Sequence, residues 1–135
     1  MNRLMKALSA ALVAVLLALG LSGCATSPAA PVQLTQKDSG ATQQLAIGQE
    51  LRISLDANPT TGYQWAIDGT LPAQLQQVGQ AKYTAGSTAM GAGGVEVWTF
   101  TGKSSGEGVL KLKYARSFEP TAPPARTFTV AVSVK

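Results

Sequence analysis

An uncharged loop between two patterned segments holds the side chains best suited to binding a partner. Its asparagine-proline pair predicts a turn, because the proline ring fixes φ and disfavours helix in the residue before it. Two threonines supply small hydroxyl groups, and a glycine gives the backbone freedom. A loop that must lose its water on binding should carry no charge, because desolvating a charge costs free energy. The residues of this loop are Asn58, Pro59, Thr60, Thr61 and Gly62, followed by Tyr63.

Two later segments share this low charge and add complementary groups. GSTAMGAGG, residues 86–94, is rich in glycine, which leaves backbone amides and carbonyls accessible. ARSFEPTAPP, residues 115–124, offers an arginine and an aromatic ring. Low charge combined with an aromatic and an arginine is the composition of protein interfaces. The candidate binding residues in these segments are Gly91, Gly93, Gly94, Arg116 and Phe118.

Catalytic and nucleic-acid-binding functions find no support in the composition. The chain has no histidine, which excludes Ser-His and Cys-His nucleophile pairs and most zinc sites. Its seven carboxylates are scattered, the Lys and Arg residues form no cluster, and the glycines lack the Lys-Ser/Thr of a phosphate-binding loop. We therefore predict no enzymatic activity, no metal, no cofactor and no nucleic-acid partner.

Alternating apolar and polar residues predict that strands position these loops, since a period of two marks a half-buried strand. The alternation is clear over residues 50–57, 63–67, 94–103, 109–115 and 126–135, and weaker near 32–36, 42–46, 74–79 and 81–85. Residues 68–80 could instead contain a helical turn. We predict an all-β fold, an immunoglobulin-like antiparallel β-sandwich of seven to eight strands, with a small barrel as the alternative.

Strand direction predicts that the three unusual segments meet. The strand before residues 58–62 arrives at that loop and the next strand leaves it. If one strand returns near 74–85, the loop 86–94 lies at the same end, and so does 116–124 after two more strands. The count assumes antiparallel neighbours and a single return strand. It predicts one binding surface at one end of the sandwich.

The N-terminus has the features of an export signal. Arg3 and Lys6 precede an apolar run that is too short for a comfortable membrane span. The run ends in LSGC, which resembles the lipobox of bacterial lipoproteins, and Cys24 is the only cysteine of the chain. We predict a signal peptide at 1–23, a lipidated Cys24 with a flexible tether at 24–39, and a domain at 40–135. The alternative is an ordinary signal peptide with a chance cysteine. Cleavage would lower the formal charge from +4 to +2, because Arg3 and Lys6 are removed.

The lipobox resemblance also implies a location. A lipid on Cys24 would hold the protein on a membrane of the cell envelope, facing the periplasm. Alanine and threonine follow the cysteine, with no aspartate, which resembles the pattern of outer-membrane sorting in double-membraned bacteria. We predict a monomer anchored to the outer membrane.

Three motifs resemble the binding loops of chagasin-like inhibitors of papain-family cysteine peptidases. NPTTGY at 58–63, GAGG at 91–94 and RSF at 116–118 are similar, in order and spacing, to that family's NPTTGY/F, GxGG and RPW/F. The resemblance covers roughly residues 40–134 and implies an immunoglobulin-like sandwich. The third motif departs, because Ser117 replaces the usual proline and Phe118 the common tryptophan, which bears on affinity more than on function.

The resemblance implies a mechanism of inhibition. The first loop would enter the active-site cleft as a wedge, with Thr60 and Thr61 beside the catalytic cysteine and histidine of the peptidase. The GAGG loop would pair its backbone with one wall, and Phe118 would pack on the other, with Arg116 making polar contacts nearby. Two other interpretations stay open: an envelope module that binds a peptide or glycan through the same loops, and a purely structural lipoprotein.

Overall fold

Nine β-strands and two 3-10 turns make up the regular structure of the part of the chain that the computed structural model describes, residues 27–135. The 3-10 turns are Gln36–Asp38 and Pro59–Thr61. The strands are β1 (Val32–Thr35), β2 (Thr42–Leu45), β3 (Glu50–Ala57), β4 (Tyr63–Ile67), β5 (Leu75–Gln77), β6 (Lys82–Ala85), β7 (Gly94–Gly102), β8 (Gly106–Arg116) and β9 (Arg126–Val134).

The strands form two sheets that pack as a sandwich, which confirms the predicted fold class. One sheet has the order β1-β3-β7-β5, with β6 also paired to β7, and the other has the order β2-β9-β8-β4. The predicted strand number was too low. Strands β5 and β6 pair with opposite ends of β7, so a single return edge is split into two short pieces.

Fully antiparallel pairing is also wrong, since β1 pairs with β3 in parallel and β2 pairs with β9 in parallel. The reason lies in the path of the chain. After β1 the chain crosses to the opposite sheet to form β2, and then returns to the first sheet as β3. Because the chain reverses direction at each of these two crossings, β3 runs in the same direction as β1. Both sheets are therefore mixed.

The core is formed by the inward faces that the alternation predicts. Leu51, Ile53 and Leu55 on β3 are fully buried, and so are the apolar residues of β8 and β9 that face them. Trp65 and Trp98 are buried too, in keeping with their interpretation as core residues. Two sheets that each hide one apolar face can only do so against each other, and that requirement fixes the sandwich.

The weak strand predicted near 32–36 is confirmed, although it falls within the segment assigned to the tether. Residues 32–35 form β1 and Leu34 is buried, so the last part of the proposed tether over 24–39 belongs to a sheet. The helical alternative for residues 68–80 is wrong, since this segment contains β5. The signal peptide, Cys24 and the first residues of the tether lie outside the described residues. Within residues 27–135, no helix is long and apolar enough to cross a membrane.

Glu96 is a polar residue on an otherwise apolar face. It lies on β7 on the same side as the buried Trp98 and Phe100, and it is itself half-buried. Burial raises the pKa of Glu96 above its ordinary value of 4.5, and attraction to the side chain of Trp98 lowers it in part. The indole N–H of Trp98 has no hydrogen-bond partner among the described residues, so we regard burial as the dominant cause.

Glu96→Gln is expected to raise the free energy of unfolding at neutral pH. A raised folded-state pKa means that the folded protein binds the proton more tightly than the unfolded chain, so ionisation of Glu96 opposes folding. The destabilisation should appear as the pH rises through the folded-state pKa and vanish below the ordinary value of 4.5. Thermal unfolding of both proteins between pH 3 and 8 measures this, and a gap that widens towards acid pH would contradict it.

Candidate functional site

The three loops meet at one end of the sandwich, as the count of strand directions predicts. The Asn58 side-chain amide donates to the carbonyl oxygen of Gly91 at 3.0 Å, which joins the first loop to the second. Arg116 Nε donates to the carbonyl oxygen of Thr61 at 3.2 Å, which joins the first loop to the third. The prediction of a single return strand holds because β5 and β6 both run antiparallel to β7 and follow each other along it.

Hydrogen bonds within the first loop close it into a rigid 3-10 turn over Pro59–Thr61. Asn58 caps the turn, since its side-chain oxygen accepts from the backbone N–H of Thr60 at 3.2 Å and from the Thr60 hydroxyl. The backbone N–H groups of Thr61 and Gly62 donate to the carbonyls of Asn58 and Pro59, both at 3.1 Å. Gly62 ends the turn with φ near +80°, a left-handed conformation that favours glycine.

The threonine hydroxyls are committed inside the loop, which refines the role that their chemistry suggested. Thr60 donates to the side chain of Asn58, and Thr61 donates to the carbonyl oxygen of Asn58 at 2.6 Å. A hydroxyl has one proton and two lone pairs, so each group can still accept a hydrogen bond from outside. Both threonines are exposed. The tip therefore offers small, uncharged acceptors on a stiff frame.

Tyr114, a core residue near the end of β8 that leads into the third loop, anchors the first loop to the sandwich. Its hydroxyl oxygen accepts the backbone N–H of Asn58 at 2.8 Å, although 56 positions separate the two residues. Its ring stacks against Tyr63 at 5.3 Å between centroids and contacts Trp65 at 5.1 Å. The alternation of β8 placed Tyr114 on the inward face but gave no sign that its hydroxyl fixes the loop.

The glycines of the second loop serve different purposes. Gly91 adopts φ near +75° and turns its carbonyl towards Asn58. Gly93 accepts the backbone N–H of Gly86 at 2.9 Å, which closes the base of the loop. Gly94 lies within β7, and a Cβ there would fall 2.8 Å from the Cα of Ala85 and against the carbonyl oxygen of Thr84. Gly94 is therefore needed for the close approach of β6.

The apex of the second loop projects a side chain that sequence reasoning did not count as part of the site. Met90 is fully exposed there. Its neighbours in the loop are small or glycine residues, so no other side chain of comparable size shields it. An apolar side chain held in solvent at the same end as the first loop adds to a surface suited to a protein partner.

The third loop is organised around Arg116. Its guanidinium lies 4.5 Å from the centroid of the Tyr63 ring and 5.8 Å from that of Phe118, so it sits between two aromatic faces. It also forms an ion pair with Glu119 at 3.6 Å. These contacts commit Arg116 to shaping the loop. Phe118 lies against Gly62 and remains 67% exposed, which leaves most of its ring free.

The arrangement brings together groups that suit binding. All eleven candidate residues of the three motifs lie at this end, on three segments that are far apart in sequence. Within residues 27–135 no three His, Cys, Asp or Glu side chains come together as metal ligands. The end projects a rigid turn, an apolar apex at Met90 and an exposed ring at Phe118. These features suit insertion into the concave surface of a partner.

Comparison with known proteins identifies the family of the chain. Residues 44–132 match the profile of the chagasin family peptidase inhibitor I42. The chain is 35% identical over 107 residues to amoebiasin-1 of Entamoeba histolytica, which covers 77% of this chain and all of that protein. It is 32% identical over 102 residues to chagasin of Trypanosoma cruzi, covering 73% of this chain and 93% of chagasin.

A solved structure agrees with these relatives. The cysteine protease inhibitor EhICP2 of Entamoeba histolytica superposes with a TM-score of 0.67 at 26% identity, over 78% of this chain and 96% of that one. The family match over residues 44–132 covers β3 to β8 and the segments that carry all three loops. The chain therefore belongs to the chagasin family of peptidase inhibitors, and, as that family consists of inhibitors, it is not an enzyme.

Proposed function

We propose that the protein is a reversible inhibitor of papain-family cysteine peptidases and that it occludes the active-site cleft with its three clustered loops. The inhibitor family of the chain and its similarity to the cysteine protease inhibitor EhICP2 support the peptidase class. The observation that carries the proposal is the hydrogen-bonded union of the loops through Asn58, Gly91 and Arg116. It makes three separate segments one preformed surface.

The first loop acts as the wedge because it is stiff, narrow and uncharged. Pro59 restricts the backbone, and hydrogen bonds to Asn58 close the turn before any partner arrives. A preformed loop loses little conformational entropy on docking. Thr60 and Thr61 enter the cleft without a charge that would have to be desolvated.

The same rigidity explains why the loop resists cleavage. A peptide that is bound as a strand is extended, with its backbone groups available for pairing with the partner. The turn at Pro59–Thr61 directs the backbone N–H groups of Thr61 and Gly62 to internal carbonyls. Laying its peptide bonds out as a substrate would break these bonds and the contact with Tyr114. The loop therefore fills the cleft without presenting a bond at attack geometry.

The second and third loops extend the contact to both sides of the wedge. The backbone around Gly91 and Gly93 lies exposed for pairing with one wall, with Met90 beside it. Phe118 offers its free face to the opposite wall, supported from behind by Gly62 and Arg116. Three such loops can supply an interface of ordinary size, about 800 Å² from each partner.

Phe118→Ala is expected to weaken inhibition by roughly 10- to 100-fold with little change in thermal stability. Truncating a buried aromatic anchor of an interface costs on the order of 2 kcal/mol. In the free protein the ring is 67% exposed, so its removal costs the fold little. Inhibition constants and melting temperatures of both proteins check this. An unchanged inhibition constant would show that the third loop does not contact the peptidase.

Titration of papain with the domain tests the proposal as a whole. Residual activity should fall linearly to zero at one equivalent of inhibitor, and activity should return on dilution or competition. The inhibitor recovered from the complex should be intact by mass spectrometry. Undiminished papain activity at micromolar domain would favour the alternative, an envelope module that binds another peptide or a glycan. A cleaved Thr60-Thr61 bond would mean that the loop is a substrate.

We propose in addition that Cys24 carries the lipid of a bacterial lipoprotein. LSGC follows an apolar run and contains the only cysteine of the chain, which supports cleavage before Cys24. The lipid would hold the inhibitor in the cell envelope, at the periplasmic face of the outer membrane. Metabolic labelling with a fatty acid should label the protein and should fail for Cys24→Ser. Persistent labelling of Cys24→Ser would contradict the assignment.

A further inference from the structure

The chain enters the sandwich at the end opposite to the three binding loops. Strand β1 runs parallel to β3, with Val32 beside Leu51, and β3 ends at Ala57 next to the first loop. The start of β1 therefore lies at the far end of the sandwich. The segment before β1 is held there too, because the side-chain amide of Gln49 donates to the carbonyl oxygen of Ala30 at 2.7 Å.

The distance from this entry point to the loops can be bounded from strand geometry. From Leu51 to Ala57 the chain advances about 20 Å, at roughly 3.3 Å per residue. Ala30 lies two residues before Val32, which is the partner of Leu51, and this adds about 6 Å. The loop itself projects beyond Ala57. Ala30 and the tip of the first loop are therefore roughly 30 Å apart.

The polypeptide between the lipid and the domain is shorter than this distance. Cys24 and Ala30 are six residues apart in the sequence. Even fully extended, six residues span about 20 Å. To point its loops straight at the bilayer, the domain would have to lift Ala30 roughly 30 Å above the lipid on Cys24. The tether cannot reach that far.

We infer that the anchored protein presents its binding loops away from the bilayer and that its partner is a peptidase dissolved in the aqueous compartment. The inference rests on the inhibitor function and on the lipid anchor proposed above. It adds to these two proposals the orientation of the domain relative to the membrane. A domain inverted along its long axis is excluded by the length of the tether, and the end that holds Ala30 stays within about 20 Å of the lipid on Cys24. A peptidase bound to the same membrane with its cleft close to the surface is out of reach.

Energy transfer to acceptor lipids measures this orientation in the full mature protein. The lipid occupies Cys24, so a single new cysteine can take the donor dye. Ser105→Cys places the dye in the turn between β7 and β8, at the entry end, and Thr121→Cys places it between β8 and β9, at the loop end. Both sites are exposed. In vesicles with an acceptor on the headgroups, transfer should be several-fold stronger from position 105. Equal transfer, or stronger transfer from position 121, would overturn the inference.

Two companion measurements distinguish an error in the orientation from an error in the lipid anchor or in the inhibitor function. Flotation with the vesicles reports the anchor, and protein that stays in solution would overturn the inference together with the lipid assignment. Papain titration of the same protein in detergent and on vesicles reports the inhibitor function. The inhibition constants should agree within about 3-fold. Inhibition that is lost only on vesicles would contradict outward-facing loops, whereas loss in both would refute the inhibitor function instead.

Discussion

Thr61→Lys should raise the inhibition constant for papain at least 100-fold. Thr61 lies at the exposed tip of the first loop, which in the proposed complex fills the deepest part of the cleft. A lysine at this position adds two side-chain heavy atoms and a charge. A charge enclosed in an interface without a partner costs several kcal/mol, because the water that it loses is not replaced. A loss of this size exceeds that of a typical alanine substitution in an interface.

Thr61→Ser is the matched control for this variant. Serine keeps the hydroxyl that donates to the carbonyl oxygen of Asn58 at 2.6 Å, so the turn should stay closed. Lysine loses that hydrogen bond, which is worth about 1 kcal/mol of stability. Thr61→Lys should therefore melt a few degrees lower while its inhibition falls by orders of magnitude. A large loss of stability with a proportionate loss of inhibition would mean that the threonine serves only the fold.

The binding surface owes its stiffness to contacts that cross between loops. Pro59 and the cap by Asn58 fix the first loop locally, and Tyr114 ties it to the sandwich. Arg116 then joins the first loop to the third through one hydrogen bond and two aromatic contacts. Such preorganisation reduces the entropy lost on docking, so affinity comes from shape that is already present. The serine at position 117 is less damaging in this setting, because Arg116 and Glu119 already constrain the third loop.

Local sequence patterns predicted the sandwich and the meeting of the loops. Alternation along β3, β8 and β9 identified the inward faces, because each strand hides one face from water. Counting strand directions placed three distant segments at one end. Both inferences use only the period of the side chains and the alternation of the chain between two ends, and these depend little on which strand lies beside which.

Pairing between distant segments could not be read in this way. The parallel partners of β1 and β2 depend on where the chain crosses between the sheets, and nothing in their short sequences encodes it. Strand β1 gives only a weak pattern, because it has four residues and one buried side chain, so its place in the sheet could not be read from the sequence. The hydrogen bond to the hydroxyl of Tyr114 has no local sequence signal, because its partner, the backbone of Asn58, lies 56 positions earlier, just after β3. The contacts of Arg116 with Thr61 and Glu119 of its own chain could not be read from the RSF motif.

Gly94→Ala should destabilise the protein far more than Gly91→Ala, although both positions belong to the GAGG motif. At Gly94 a Cβ meets the backbone of β6, at 2.8 Å from the Cα of Ala85, and backbone cannot swing aside as a side chain can. The strand must separate from β7 or shift, which costs about 2–3 kcal/mol. The melting temperature should fall by roughly 10–15 °C. Gly91 has no atom within 4 Å of such a Cβ, so its substitution costs only the left-handed strain, about 1 kcal/mol.

The effect of Gly94→Ala on inhibition follows from the same contact. Strand β6 leads into the second loop, and the hydrogen bond between Asn58 and Gly91 depends on where that loop starts. Displacing β6 should therefore weaken inhibition by about 10-fold or more even at temperatures where the domain remains folded. Melting temperatures and inhibition constants of Gly94→Ala and Gly91→Ala test both predicted effects. A larger loss of stability for Gly91→Ala than for Gly94→Ala would contradict the role of Gly94 in the close approach of β6 to β7.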